Sequence, residues 1–207
     1  MKKIGFFGNF ENAFLGLIND YEISFVIFEK EKENNNIADY CSTNSIDYIA
    51  VESREDIKDY LETFSDIDFF IVASFGIIFD EKILEYPRLV VINIHPGILP
   101  QYRGRHPLPQ AILNKEKYMG LTSHVMSLEI DKGKILKISK LRIDYKKSYK
   151  ENEKRLLSLL SDFVQESIRN YMNKKEIILN EIENYYKPLD KMKLNNIFSV
   201  KQLKDMA

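Results

Sequence analysis

The most constraining feature of this 207-residue chain is a two-beat rhythm through its first hundred residues. Short apolar runs at residues 4–7, 23–28, 48–51, 69–73 and 89–94 are rich in β-branched and aromatic side chains, the composition of buried strands. Between them lie helical signals. Phe14, Leu15, Leu17 and Ile18 fall at helical spacing, residues 37–41 form a short helix, and Ser53 is placed to cap a helix running to about residue 64. Strands alternating with helices predict an α/β domain: a mostly parallel central sheet with helices on both faces. Such sheets bind ligands beyond the carboxyl ends of their strands, where the strand order reverses. The ends to watch are residues 8–9, 74–76 and 93–95. The first carries neither three-glycine spacing nor a phosphate-loop lysine, so it is not a dinucleotide fingerprint.

Beyond His95 the style changes. Pro96, Gly97, Pro100, Gly104, Pro107 and Pro109 crowd into a rigid, irregular loop. A helix follows at 108–114, then strands at 121–129 and 134–143 joined by a turn at 130–133. The longest helical pattern spans 151–172, with Leu156, Leu157, Leu159, Leu160, Phe163 and Ile168 on one broad face. That face could pair two copies as a homodimer or fill the chain's own core. The tail from 187 to 207 is polar and mixed in charge. The organisation read from this is one domain over 1–180 and a C-terminal extension over 181–207.

Charge narrows the partners. The formal net charge is -1, which gives no global field to capture a polyanion and makes a nucleic-acid partner unexpected. The one cysteine, Cys41, allows no intramolecular disulfide, as in a reducing compartment. The apolar run after Lys2 and Lys3 is broken by Gly5, Gly8 and Asn9 and reads as a strand, not a leader. No stretch approaches the roughly 20 apolar residues that span a bilayer, so the expected setting is cytoplasmic, without membrane contact.

All three histidines, His95, His106 and His124, lie within one short stretch. Their spacing offers no His-x-x-x-His pair and no second cysteine, so no metal site is expected. Asn93 and His95 are more informative. Two apart at a strand's carboxyl end, they point the same way, and Pro96 stops the pairing just after them. A carboxamide can donate to a developing oxyanion, and an imidazole can share that task or move a proton. Asp131, on its turn beside Gly133, is a candidate to fix the imidazole. The plainer reading is that both side chains only satisfy backbone groups at a strand end.

The string Asn93-Ile94-His95-Pro96-Gly97-Ile98-Leu99-Pro100, then Tyr102-Arg103-Gly104 and Pro107, then Gly120-Leu121-Thr122-Ser123-His124, then Asp131-Lys132-Gly133, resembles the formyltransferase family. The resemblance covers about 40 residues in order and spacing. It implies a Rossmann-like formyltransferase fold with a short C-terminal appendage, and 10-formyltetrahydrofolate as formyl donor. It implies a catalytic trio at Asn93, His95 and Asp131, with protonated His95 and Asn93 stabilising the oxyanion and Asp131 holding His95. Phe75, Gly76, Ile77, Ile78 and Phe79 match the loop that reads the pterin ring. Two departures stand out: Gly97 where the family usually has serine, and Lys132 where it usually has a small residue.

Within the family, Gly8-Asn9-Phe10-Glu11-Asn12 lacks the glycine- and serine-rich phosphate loop of the glycinamide ribonucleotide enzymes. The tail carries ten Lys/Arg against nine Asp/Glu from residue 151 onward, without a basic arm for tRNA. The chain is most similar to the sugar N-formyltransferases. That similarity implies an amino-sugar acceptor, nucleotide-linked and destined for surface polysaccharide, bound by Tyr102, Arg103, Gly104, Arg105 and His106. One alternative stays open for Arg103: that it only braces its loop through backbone carbonyls. Formylation of another small amine or of methionyl-tRNA is the alternative reaction, and a non-catalytic folate- or sugar-binding module the alternative class.

Overall fold

A computed structural model describes residues 1–179 and 183–206, with side chains described as far as Lys204. The strands are β1 (Lys3–Gly8), β2 (Glu22–Glu29), β3 (Asp47–Val51), β4 (Phe69–Ala73), β5 (Val90–His95), β6 (Arg103–Gly104), β7 (Tyr118–Val125), β8 (Ile135–Arg142) and β9 (Tyr185–Tyr186). The helices are α1 (Glu11–Leu15), α2 (Asn35–Thr43), α3 (Arg54–Leu61), α4 (Glu81–Leu84), α5 (Pro107–Leu113), α6 (Tyr149–Leu157), α7 (Leu160–Met172) and α8 (Lys191–Ser199). Seven strands form one sheet in the order β3-β2-β1-β4-β5-β7-β8. β3 through β5 run parallel, and β7 and β8 are antiparallel. The chain winds outward from β1 to β3, then returns to the other side of β1 for β4. The order therefore reverses between β1 and β4, and a crevice opens at their carboxyl ends.

Both faces of the sheet are covered, which is why its central strands read as continuous apolar runs. Phe6, Val26, Phe69 and Ile92 join one core with Phe14, Leu160 and Phe163. Their strand neighbours Phe7, Ile27, Phe70 and Val91 join a second core with Ile57 and Ile83. Ser53 caps α3 as expected, in a reciprocal box with Asp56.

Two expectations change, and one alternative left open is met. The helical pattern over 151–172 is two helices, because α1 docks at the break: Asn12 donates to the Leu157 carbonyl (3.1 Å) and Ser161 donates back to the Asn12 carbonyl (2.8 Å). Of the apolar face of that pattern, Leu156, Leu160, Phe163 and Ile168 are buried in the chain's own core, Leu157 is partly buried and Leu159 is exposed. The strand expected over 121–129 ends at Val125, because Met126 turns to bond the Val91 carbonyl and frees the loop beyond it.

The division expected at residue 180 lies outside the described residues. Beyond it the chain does not trail away. β9 pairs in parallel with β6, and α8 returns Ile197 to the main core, as a later turn does Leu203. Phe198 packs on Tyr149 with ring centroids 4.7 Å apart. Among the described residues no helix is long and apolar enough to cross a membrane.

Candidate active site

A cavity of about 190 Å³ opens at the carboxyl ends of β4 and β5. Asn93, His124 and Asp131 line one part of it, and the loop from Phe75 to Phe79 lines another. That volume suits a head group and not a whole drug-sized ligand, so a longer molecule must continue along the rim.

Asn93 and His124 are register partners across the antiparallel pair β5 and β7. Nδ1 of His124 donates to the Val125 carbonyl (3.0 Å), leaving Nε2 to accept from the Asn93 amide (3.0 Å). One Asn93 proton is thus anchored, and the other is free to point into the cavity. Asp131 sits in the left-handed region (φ 55) on the loop after β7. Its Oδ2 accepts from the Gly104 amide (2.8 Å). Its Oδ1 lies 3.5 Å from His124 Nε2 and 3.7 Å from His95 Nδ1, flanked by two imidazoles.

His95 is placed differently from the expectation that it would share the cavity with Asn93. It is only 5% exposed, does not line the cavity, and donates from Nε2 to the Tyr102 carbonyl (2.6 Å). The imidazole beside Asn93 is His124, which sequence reasoning quoted but gave no role. Only the register of β5 on β7 reveals it. With Nε2 held by Tyr102, Nδ1 is the one His95 atom that can gain or lose a proton, and it faces Asp131.

Burial pushes the His95 pKa down, against the pull of Asp131 and the Tyr102 carbonyl, so the resting ring is neutral at pH 7. Burial also pushes Asp131 upward. His124, His95 and the Gly104 amide outweigh it and bring the carboxyl down to about 2. The sign follows for stability: the Asp131 contribution is present above its ordinary 3.8 and is lost as pH falls through about 2.

Gly97, the departure from serine, has a packing cause. A Cβ there would lie 2.6 Å from Pro107 Cβ and 2.8 Å from His95 Nε2. Gly97→Ser is therefore expected to push His95 off the Tyr102 carbonyl. The expected cost is about 1–3 kcal/mol in stability, with a clear loss of turnover. Thermal denaturation and steady-state rates check it together, and unchanged values for both would contradict the packing argument.

Of the residues expected to hold the acceptor, Gly104 and Arg105 line the cavity. The other three are engaged in holding the site's frame. Arg103 donates from Nε (3.1 Å) and Nη2 to the Ile130 carbonyl and from Nη1 to Glu183 (3.1 Å), so bracing is what its contacts show. Tyr102 donates to Glu116 (2.7 Å) and stacks on Tyr186 at 5.3 Å. His106 accepts at Nδ1 from the Leu189 amide (3.1 Å).

All five expected pterin-loop residues line the cavity. Phe75 and Phe79 also pack edge-on to Phe7, so they serve the core as well. The Gly76 amide is already bonded to Glu29 (2.7 Å), which leaves the reading of a ligand to its neighbours. Among the described residues no group of three or more His, Cys, Asp and Glu side chains is arranged to hold a metal ion.

The sequence profile of the formyl transferase family matches residues 19–167, a span that includes Asn93, His95, His124 and Asp131. The chain belongs to the formyl transferase family. A methionyl-tRNA formyltransferase of Thermotoga neapolitana is 37% identical over 121 residues, 58% of this chain and 38% of that protein. One from Mycoplasmopsis pulmonis is 33% identical over 138 residues, 62% of this chain and 47% of that protein. The chain thus spans less than half the length of these curated relatives.

Solved structures show the shared fold. A sugar N-formyltransferase from a Shewanella species superposes with a TM-score of 0.64 at 22% identity, covering 90% of this chain and 76% of that one. A phosphoribosylglycinamide formyltransferase from Bacillus halodurans gives 0.72 at 20% identity, covering 84% and 96%. The Rossmann-like formyltransferase fold read from the sequence is therefore the fold this family member has.

Proposed function

We propose that this formyl transferase moves a formyl group from 10-formyltetrahydrofolate to the amine of a nucleotide-linked amino sugar, in the cytoplasm. The observation that carries the reaction is the gathering of Asn93, His124 and Asp131 on one cavity, with His95 packed behind the carboxylate. The residues present fit the donor. The Phe75–Phe79 loop offers apolar walls to a planar ring, as its family likeness implies.

The donor, when bound, supplies a formyl carbon on a nitrogen leaving group. As the acceptor nitrogen bonds to that carbon, the carbonyl electrons move to oxygen. The free Asn93 N–H meets the developing charge, and His124 keeps the carboxamide from turning away. The proton lost by the amine passes by way of Asp131, which lines the cavity, to His95 Nδ1 behind it, and the carboxylate then stabilises the resulting cation. The same proton then passes to the departing nitrogen as its bond to carbon breaks. Proton count and charge balance: amine plus formyl donor give formamide plus the free donor nitrogen.

A rate that needs neutral His95 is expected to hold steady across neutral pH and fall only as the medium drops below the ring's ordinary 6.5. A pH profile of kcat checks this; a rate rising toward pH 5 would contradict it.

Arg105 at the cavity rim supports an anionic acceptor such as a sugar nucleotide, since a guanidinium matches phosphate oxygens two at a time. A second acceptor, methionyl-tRNA, is favoured by the names of the curated relatives. The test offers the protein 10-formyltetrahydrofolate with a panel of nucleotide amino sugars and with methionyl-tRNA, and reads the mass gained by each. Gain on an amino sugar is the expected result. Gain on methionyl-tRNA alone removes the sugar reading, and no gain anywhere removes formyl transfer to both.

A further inference from the structure

We infer that Tyr185, brought to the cavity by β9, determines donor specificity: its ring receives the aryl group attached to the formyl-bearing nitrogen. The inference rests on the proposed donor and adds a residue from outside the span matched by the family profile.

Three observations carry it. First, Tyr185 lines the same cavity as Asn93 and Asp131 yet stays 52% exposed, so its ring has surface to offer. Second, it stands one backbone step from the chemistry. Gly104, whose amide holds Asp131, has its missing Cβ position 3.2 Å from Tyr185 Cε2 and 2.2 Å from the Tyr186 carbonyl. Only a glycine, at φ 93, lets the strand approach so closely. Third, one face of the ring has a fixed neighbour. The Arg103 guanidinium lies 5.9 Å from its centroid and is itself fixed by Ile130 and Glu183. Tyr186, on the opposite side of the strand, is spent on Tyr102 and Asn114.

The donor's chemistry supplies the ligand. Its formyl-bearing nitrogen carries an aryl ring directly, so any surface beside the catalytic groups must accept an aromatic plane. The cavity encloses a head group alone, and the aryl ring falls at the rim. There Tyr185 shares the lining with Ile78 and Leu128, exposed apolar side chains at 56% and 62% that such a ring would cover. An aromatic ring with Arg103 toward one face can offer its remaining surface to a second aromatic plane, which favours binding.

The test titrates the full chain with 5-formyltetrahydrofolate and, separately, with a 5-formyltetrahydropterin that lacks the aryl tail. Tyr185→Ala is expected to weaken the first by about tenfold and leave the second unchanged. Tyr185→Phe should stay within about twofold for both. Tyr185→Leu keeps apolar bulk without the ring, and serves if the alanine variant does not fold; several-fold weakening toward the folate alone is expected. Equal folate affinity in the wild type and the ring-deleted variants overturns the inference. So does weakening of both ligands by the same factor, which would make Tyr185 a general support. A wild type that binds neither ligand overturns the donor reading itself, a different failure from the other two.

Discussion

Asn93→Ala is expected to lower kcat by about 10²–10³-fold while donor affinity changes little. The carboxamide is held before any ligand arrives, through the bond to His124 and the β5–β7 register behind it. A donor fixed in advance stabilises charge without reorganising at the moment of reaction, which is why losing one is costly. The loss should appear in kcat, because the charge it meets exists only as the formyl carbon changes geometry. Single-turnover rates with saturating donor, beside titration of the donor into the variant, separate the two quantities. A variant with near-normal turnover would remove Asn93 from the mechanism, and a variant that no longer binds donor would make it a binding residue.

Removing residues 183–207 is expected to abolish activity and the cooperative unfolding transition together. Ile197 and Leu203 are core residues, and truncating one such side chain to alanine typically costs about 2–5 kcal/mol. Losing both, with the Phe198 contact and the β6–β9 pairing, approaches the roughly 5–15 kcal/mol that holds a whole domain together. The site goes with it, because Arg103 loses Glu183 and Tyr102 loses Tyr186. Circular dichroism on heating, run beside the formyl transfer assay, decides the matter. A shortened chain that melts at the parent temperature would show the segment to be dispensable.

The parallel half of the fold was legible because its signals are local. The apolar runs of β1, β2, β4 and β5 and the Ser53 cap of α3 depend on neighbours within a few residues. What stayed hidden depends on distant partners. The break between α6 and α7 comes from Asn12, some 145 positions earlier. His124 became a site residue only through antiparallel register with Asn93, and a one-residue slip would have turned it to the other face. His95 left the cavity because a carbonyl seven residues on, at Tyr102, captured its Nε2. The polar tail concealed Ile197 and Leu203: Leu194, Ile197, Val200 and Leu203 recur every three residues, but the lysines and asparagines around them masked the pattern.

The pairing of β6 with β9 also sets a timetable. A nascent chain emerges from its N-terminus, so Gly104 is made some eighty residues before the Tyr186 carbonyl that lies against it. During synthesis the loop that carries Arg103 waits for its second strand, and the main core waits for Ile197 and Leu203. The carboxylate at 131, tied to that loop through the Gly104 amide, thus leans on a strand that is made after it. Competence for chemistry therefore arrives together with the closed core, once the final stretch of chain is in place.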